Sequence, residues 1–192
     1  MSRIFEVFEL ETLDLRFKLR GERPQNPDIV IIEIADDSLE KIGRWPFDRA
    51  WHAQLIEVLA LLGVKQIGLD IIFTEKSASD GELIASTERA GNVYFPLSFP
   101  ISPPLLPELE KVAKGKGHIN IIPDIDGKRR KIPLFIEHEG GVYPQMAVVM
   151  AADYLDVPLK SIEIPVNERG EMFISYAGRW QETFTHYSYV DV

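Results

Sequence analysis

The sequence predicts an α/β fold, with a three-layer-like parallel βαβ core followed by an antiparallel β extension. Two apolar runs, 29–34 and 66–73, flank a segment whose apolar residues recur at helical spacing from Trp51 to Leu62. Apolar runs joined by a helix are typical of parallel strands that are buried on both faces. After Gly117 the pattern changes to short strands between turn residues, which predicts antiparallel hairpins.

The elements of the first half follow from local signals. A helix is predicted over residues 1–21, and Gly21 is placed to end it. The helix between the two apolar runs begins after Asp48, a suitable N-cap, and ends near Gly63. A further helix over 80–90 leads to a strand at 92–95, which repeats the pattern. We therefore expect three parallel strands in a core that spans residues 28–96.

The second half, residues 117–192, is predicted to contain two hairpins and one helix. The helix starts near Pro144, because proline suits the first helical turn. The four strands are expected at 117–122, 131–137, 162–166 and 172–176. A turn at 126–127 joins the first pair, and a turn at 167–170 joins the second pair. Together with the first half, these elements are expected to form a single domain, 1–192.

Composition excludes several classes of function. The 192 residues include 21 Lys and Arg against 30 Asp and Glu, a net charge of −9, so we expect no nucleic-acid partner. The absence of cysteine excludes disulfides, thiolate metal sites and cysteine nucleophiles. No run approaches the roughly 18 apolar residues that a membrane span needs. Glu6 and Glu9 lie where a signal peptide would carry its apolar core.

Motifs of catalysis are missing from the sequence. It contains no nucleophile elbow, no phosphate-binding loop and no pair of histidines at zinc-ligand spacing, and its four histidines are scattered. The sequence therefore predicts no catalytic residue, no metal site and no cofactor.

Carboxylates follow both apolar runs of the predicted core. Asp36 and Asp37 come just after the first run, and Asp70 lies within the second. A right-handed crossover brings these groups to one sheet edge, where open α/β sheets usually bind ligands. A carboxylate inside an apolar strand needs a partner, which Arg44 or Arg49 could supply. The predicted ligand-binding residues are Asp36, Asp37, Arg44, Trp45, Arg49 and Asp70. An internal salt bridge that only fixes the loop around Trp45 is an equally open alternative.

Residues 124–127 have the D-x-D-G form that opens a calcium loop. The later acidic ligands and the distal glutamate of such a loop are missing, so a tight turn is favoured. The basic run 128–131 follows directly. In a strand its side chains alternate, so Arg130 is expected to point away from Arg129 and Lys131.

Taken together, these segments resemble the CHASE2 domain, an extracytoplasmic sensor module of bacterial signalling receptors. The segments that carry the resemblance are 13–21, 36–39, 43–46 with Arg49, 68–73, 117–120, 124–127 with 129–130, and 143–144. In that family the domain usually follows one membrane helix and precedes others. These lead to a cytoplasmic nucleotide cyclase, histidine kinase, Ser/Thr kinase or diguanylate cyclase. The resemblance brings no catalytic residues and names no ligand.

The resemblance implies an extracytoplasmic ligand-sensing domain of a membrane-bound receptor. Its expected partners are an unidentified small molecule and the membrane, through flanking helices absent from this chain, and a homodimer is left open. Both chain ends are then expected on one side of the domain, with the helix 1–21 near the segment 184–192. Two other readings stay open: a metal-assisted hydrolase that uses Asp36, Asp37 and Asp70, and a protein-interaction or dimerisation module.

Overall fold

The computed structural model describes residues 3–24, 26–100 and 104–192. It confirms the α/β class, with parallel sheets and antiparallel strand pairs. The chain forms two compact units. We call Met1–Trp45, Pro123–Arg130 and Ile174–Val192 the terminal unit, and Pro46–Ile122 with Lys131–Phe173 the central unit.

The helices and strands alternate along much of the chain. The helices are α1 (Arg3–Arg20), α2 (Asp36–Ile42), α3 (Arg49–Leu61), α4 (Asp80–Ala90), α5 (Pro107–Val112), α6 (Met146–Leu155) and α7 (Trp180–Thr183). The strands are β1 (Val30–Glu33), β2 (Ile67–Gly68), β3 (Val93–Leu97), β4 (Gly115–His118), β5 (Lys131–Pro133), β6 (Phe135–His138), β7 (Gly141–Pro144), β8 (Glu171–Phe173) and β9 (Thr185–Ser188). Within the described ranges, every helix is too short or too polar to cross a membrane.

The terminal unit joins the beginning and the end of the chain. The predicted first helix is confirmed as α1, with Gly21 just past its end at φ 74°, while Met1 and Ser2 lie outside the described residues. β1 pairs in parallel with β9, so Val30 lies opposite Thr185. The last residues also contact α2, where the Lys41 ammonium lies 3.4 Å from the Asp191 carboxylate.

The central unit is built on a parallel sheet in the order β2-β3-β4. The alternating residues of β3 face opposite ways. Val93 and Phe95 pack with Ile56 of α3 and Leu83 of α4, whereas Tyr94 contacts α6 through Asp153. Helices therefore cover both faces of this sheet. The predicted N-cap of α3 is confirmed, because the Asp48 carboxylate accepts from the Ala50 amide at 2.9 Å.

The prediction is wrong for one strand of the parallel core. β1 does not join β2 and β3 but pairs with β9, and β4 takes the third position. An apolar run predicts a strand without choosing its partner, and Val30 is in fact half exposed. β4 overlaps the strand predicted at 117–122 only at its last two residues, and it was not expected in the parallel core because Gly-Lys-Gly-His contains no apolar run. Gly117 is needed there, since a Cβ would come within 2.6 Å of the Met146 backbone.

Both predicted hairpins of the extension are also wrong in their pairing. β5 pairs with β8 in antiparallel fashion, so each predicted hairpin contributes one strand to a long-range pair. Of the expected pairing between 162–166 and 172–176, only an isolated bridge between Val166 and Met172 forms in the described residues. A hairpin is found instead between β6 and β7, around the turn at Gly140.

Candidate functional site

Two of the predicted site residues, Asp36 and Asp37, are the first residues of α2. Asp36 is exposed. The Asp37 carboxylate accepts hydrogen bonds from the Ser188 hydroxyl and, at 2.8 Å, from the Ser38 amide. These bonds, the Ser188 one foremost, lower the pKa of Asp37. Asp37 therefore ties the start of α2 to the end of β9.

The predicted basic and aromatic residues lie on either side of the boundary between the units. Arg44 and Trp45 are exposed and end the first segment of the terminal unit. Arg49 is buried in the central unit, where its guanidinium binds the Asp80 carboxylate and the Glu75 carbonyl oxygen. Both partners of Arg49 therefore belong to the central unit.

Asp70 is not buried against an arginine, and that prediction is wrong. It is exposed and follows β2, which ends at Gly68. Leu69 and Phe73 are buried while Asp70 and Ile72 are exposed. The segment thus alternates between the two faces of an extended chain rather than being buried on both.

The six predicted residues divide between the two units, with Arg49 and Asp70 in the central unit and the other four in the terminal unit. Their role in ligand binding stays a prediction. As to the metal alternative, no group of three or more histidine or carboxylate side chains in the described ranges is arranged to hold a metal ion.

The strongest electrostatic feature of the terminal unit is the Arg130 cluster, formed by Arg130, Asp14, Asp124, Asp126 and Lys128. The Arg130 guanidinium is buried and donates to Asp14 of α1 at 2.7 and 2.8 Å. It also donates to Asp124 at 3.0 Å and to Asp126 at 2.7 Å, and Lys128 reaches Asp14 at 2.5 Å. One buried cation thus holds α1 and the loop 123–130 together.

Charge-assisted hydrogen bonds set the ionisation of this cluster. The bond from Arg130 holds the pKa of Asp14 far below its usual value, and that from Lys128 adds to the effect. The bond from Arg130 also lowers the pKa of Asp126 to about 2. The same bonds, the Asp14 one foremost, raise the pKa of Arg130. Asp14, Asp126 and Arg130 are therefore charged at neutral pH.

The predicted tight turn in this loop is confirmed. The Gly127 amide donates to the Asp124 carbonyl oxygen at 2.8 Å, and Gly127 has φ 80°. The carboxylates of the D-x-D-G segment bind the guanidinium of Arg130. Arg130 is buried while Arg129 is exposed, in agreement with the expectation that these two side chains point different ways. The sequence analysis noted both segments but not that Asp14 would join them.

The end of α1 and the segment 184–192 are both held within the terminal unit. The Arg20 guanidinium, at the end of α1, donates to the Ser175 hydroxyl at 3.1 Å and to the Tyr176 carbonyl oxygen. The Arg23 amide donates to the Ala177 carbonyl oxygen at 2.7 Å. The segment 184–192 itself lies beside β1 and α2. Residues 175–177 and the β1–β9 pair thus connect the end of α1 and β1 to the last part of the chain, while the packing of the helix 1–21 near the segment 184–192 stays a prediction.

A cavity of about 530 Å³ lies in the central unit, at the amino edge of its parallel sheet. Gln66, Asn92 and Lys114 each immediately precede a strand of that sheet and line the cavity. The other lining residues come from the loop before β2, from β3 and from the end of α6: Lys65, Tyr94, Ala152, Asp153, Asp156, Val157 and Pro158. We call this the amino-edge cavity.

Hydrogen bonds organise the walls of the amino-edge cavity. The Tyr94 hydroxyl donates to Asp153 at 2.7 Å and accepts from Gln66 at 3.2 Å. Burial and the neighbouring Asp153 raise the pKa of Tyr94 to about 12, so its phenol stays a neutral donor. The Asn92 amide donates to the Val64 carbonyl oxygen at 2.7 Å, which leaves its own oxygen without a partner among the described residues.

The charges around the amino-edge cavity are of both signs. The Lys65 ammonium lies 4.1 Å from the centre of the Tyr154 ring and 3.3 Å from a carbonyl oxygen. Lys114 is exposed, and its ammonium makes no ion pair with a described residue. Asp153 and Asp156 supply the opposite charge. The cavity therefore offers cations, anions and neutral donors to a small polar molecule. Sequence reasoning missed it by considering only the carboxyl edge, although a polar residue precedes each strand.

Comparison with known proteins identifies a family. The family model of the CHASE2 domain matches residues 1–192, the whole chain. No curated protein and no solved structure matches it.

Proposed function

The chain belongs to the CHASE2 domain family, and on that premise we propose that it is the ligand-sensing part of a membrane-bound receptor. CHASE2 domains are extracellular sensor domains and are not catalytic. Our proposal adds that this chain binds a small polar molecule outside the cytoplasm and relays the binding to a cytoplasmic effector. The effector would be a nucleotide cyclase, a histidine kinase, a Ser/Thr kinase or a diguanylate cyclase.

The observation that carries the relay is that both chain ends belong to one unit. Arg20 and Arg23 connect the end of α1 to residues 175–177, and β9 pairs with β1. A ligand acts on a receptor by binding one arrangement of the protein better than another. Ends that are held in one unit move together when that unit changes its arrangement, which supports a role in transmitting a signal.

For the ligand we propose the amino-edge cavity. Its volume suits a small molecule, and all of its lining residues belong to the central unit. Lys65 and Lys114 favour a carboxylate or another anionic group, while Asp153 and Asp156 favour an ammonium group. A zwitterion such as a free amino acid therefore fits the lining best. The exposed carboxylates predicted from the sequence, Asp36 in the terminal unit and Asp70 in the central unit, are the second candidates for ligand binding.

Thermal denaturation of the 192-residue chain tests the ligand proposal, with free amino acids, dicarboxylates and neutral sugars as probes. A ligand at a hundred times its Kd should raise the melting temperature by roughly 5–10 °C. Lys114→Met should abolish that rise. Lys111→Met is the matched control, because Lys111 is an exposed cation of α5 outside the cavity.

The outcomes separate the candidates. A shift by an amino acid that Lys114→Met removes supports the amino-edge cavity. A shift that survives Lys114→Met but is lost in Asp36→Asn or Asp70→Asn contradicts the cavity and supports the second candidate. If none of the probes changes the melting temperature, a zwitterionic ligand is ruled out.

A further inference from the structure

Helix α1 leaves an apolar stripe in solvent. Phe8, Leu15 and Leu19 are 66%, 54% and 78% exposed. The opposite face is the packed one, since Leu10 is buried and Asp14 binds Arg130. The stripe is therefore additional to the face that holds α1 to its own unit.

The spacing of the stripe is that of a coiled coil. Phe8, Thr12, Leu15 and Leu19 follow one another in steps of four, three and four residues, as successive d and a positions of a heptad do. Thr12 is the one polar member of this set. Its hydroxyl donates to the Glu9 carbonyl oxygen at 2.7 Å, so it is satisfied within the helix and leaves its methyl group for packing.

Charges beside the stripe complement a second copy of the same helix. In this heptad Glu11 is a g residue and Arg16 is the e residue five positions later. In a parallel, in-register pair, each Glu11 then faces Arg16 of the other copy, twice by symmetry. Both side chains are exposed, and neither makes an ion pair with a described residue of its own chain.

We propose that Phe8, Thr12, Leu15 and Leu19, the α1 seam, form a parallel two-stranded coiled coil with a second copy of this chain. A stripe that met a lipid surface or an unrelated protein would need neither heptad spacing nor self-complementary charges. The proposal that a second copy binds at the α1 seam rests on the exposure, spacing and charges of α1 alone. The parallel direction also rests on the proposed function, because two receptors in one membrane enter it the same way.

Single cysteines test the seam cleanly, because the chain has no cysteine of its own. Under mild oxidation, Leu15→Cys and Leu19→Cys should each form a disulfide-linked dimer at least roughly tenfold faster than Leu61→Cys. Leu61 is a matched control, an 88% exposed leucine on α3. Leu19→Cys also reports direction, because in an antiparallel pair Leu19 faces Phe8 rather than its own copy.

Charge reversal in the Leu19→Cys background gives a second readout. Glu11→Arg or Arg16→Glu alone should slow the cross-linking roughly fivefold, since each turns two attractive pairs into repulsive ones. The double variant should restore the original rate if the pair is parallel. In an antiparallel pair, Leu19→Cys would not face its own copy, so this background would show no fast cross-linking for the charge variants to slow or restore.

Two results would overturn the proposal. Cross-linking no faster than in Leu61→Cys would exclude a second copy at the seam, while the ligand assay on the amino-edge cavity would be unaffected. An antiparallel pattern, with fast linkage only between Phe8→Cys and Leu19→Cys, would refute the parallel pair and count against the receptor arrangement as well.

Discussion

The terminal unit and the central unit are each stabilised internally by a different kind of interaction. In the described part of the terminal unit, the buried apolar side chains are Leu10 and Tyr189, and the buried guanidinium of Arg130 binds three carboxylates. The central unit encloses a cluster of eleven buried apolar residues around β3. Apolar packing is non-directional and loses stability gradually as atoms are removed, whereas a buried ion network depends on every partner. Removing a single charge is thus expected to destabilise the terminal unit, which contains both chain ends.

The largest effect is expected from removing the central cation of the Arg130 cluster. Arg130→Met leaves three carboxylates facing one another and should cost about 4 kcal/mol, as for other broken buried pairs. Amide hydrogen exchange should show loss of protection in β1 while β3 keeps most of its own. Arg129→Met is the control, because Arg129 is exposed and should change stability by less than about 0.5 kcal/mol.

Equal loss of protection in β1 and β3 would contradict the claim that the units are stabilised by different interactions, since it would mean that they unfold as one. A negligible effect of Arg130→Met would show that the cluster is hydrated enough for each carboxylate to stay solvated without its partner.

The converse experiment removes an apolar side chain from the central unit. Leu83 of α4 is fully buried in the apolar cluster, so Leu83→Ala should cost about 3 kcal/mol through lost contacts and the cavity left behind. Here β3 should lose its protection first. Leu61→Ala serves as control, because Leu61 is 88% exposed. Loss of protection in β1 ahead of β3 would contradict the assignment of separate stabilising forces.

Much of the local structure was predictable because its causes are local. The Asp48 cap, the glycine after α1 and the helical spacing of α4 act within a few residues, and each predicted element is present. Strand partners were not predictable. β1 pairs with residues more than 150 positions away, and nothing in its apolar run distinguishes β9 from β2 as a neighbour.

The candidate sites show the same limit. Asp14 and Arg130 are separated by 116 positions, so their pairing is invisible to any motif, although the D-x-D-G turn between them was recognised. Asp70 was misplaced because an apolar run was taken as buried on both faces. Its alternation with Leu69 is a period of two that the flanking isoleucines conceal. Burial, rather than residue type, decided which carboxylates needed a partner.

The two units should lose stability at different pH values as the solution is acidified. Burial lowers the pKa of His52, in the central unit, from 6.5 to about 4. The unfolded chain then binds the proton more readily, so stability is complete above pH 6.5 and falls as the pH drops towards 4. The loss at pH 5 should be about 2 kcal/mol. Urea titrations at pH 7 and pH 5 measure it, and His52→Gln should remove most of this dependence.

The terminal unit should respond at lower pH. The pKa values of Asp14 and Asp126 are lowered by Arg130, so their contribution is present above about pH 4 and is lost as the pH falls towards 2. The protection factors of the β1 amides, which correct for the intrinsic pH dependence of exchange, should therefore be unchanged at pH 5 and fall below pH 4. Loss of β1 protection already at pH 5 would mean that a group other than these carboxylates controls the terminal unit.

The smallest effect is expected at the hydrogen bond between the end of β9 and the start of α2. The Ser188 hydroxyl donates to Asp37 at the start of α2, and Ser188 pairs with Glu33 across the β1–β9 ladder. Ser188→Ala removes a hydrogen bond to a charged group in a half-buried site, so it should cost about 1 kcal/mol. Thr185→Ala is the control, an exposed residue of the same strand with no side-chain partner among the described residues. Exchange in β9 should rise about fivefold in Ser188→Ala and stay near the wild-type rate in Thr185→Ala.

A double variant tests whether this hydrogen bond and the Arg130 cluster act independently. Because Arg130 lies elsewhere in the terminal unit, the losses of unfolding free energy in Arg130→Met and Ser188→Ala should add within about 0.5 kcal/mol. A larger coupling would show that the cluster and the chain ends form one cooperative element, through which a signal would pass.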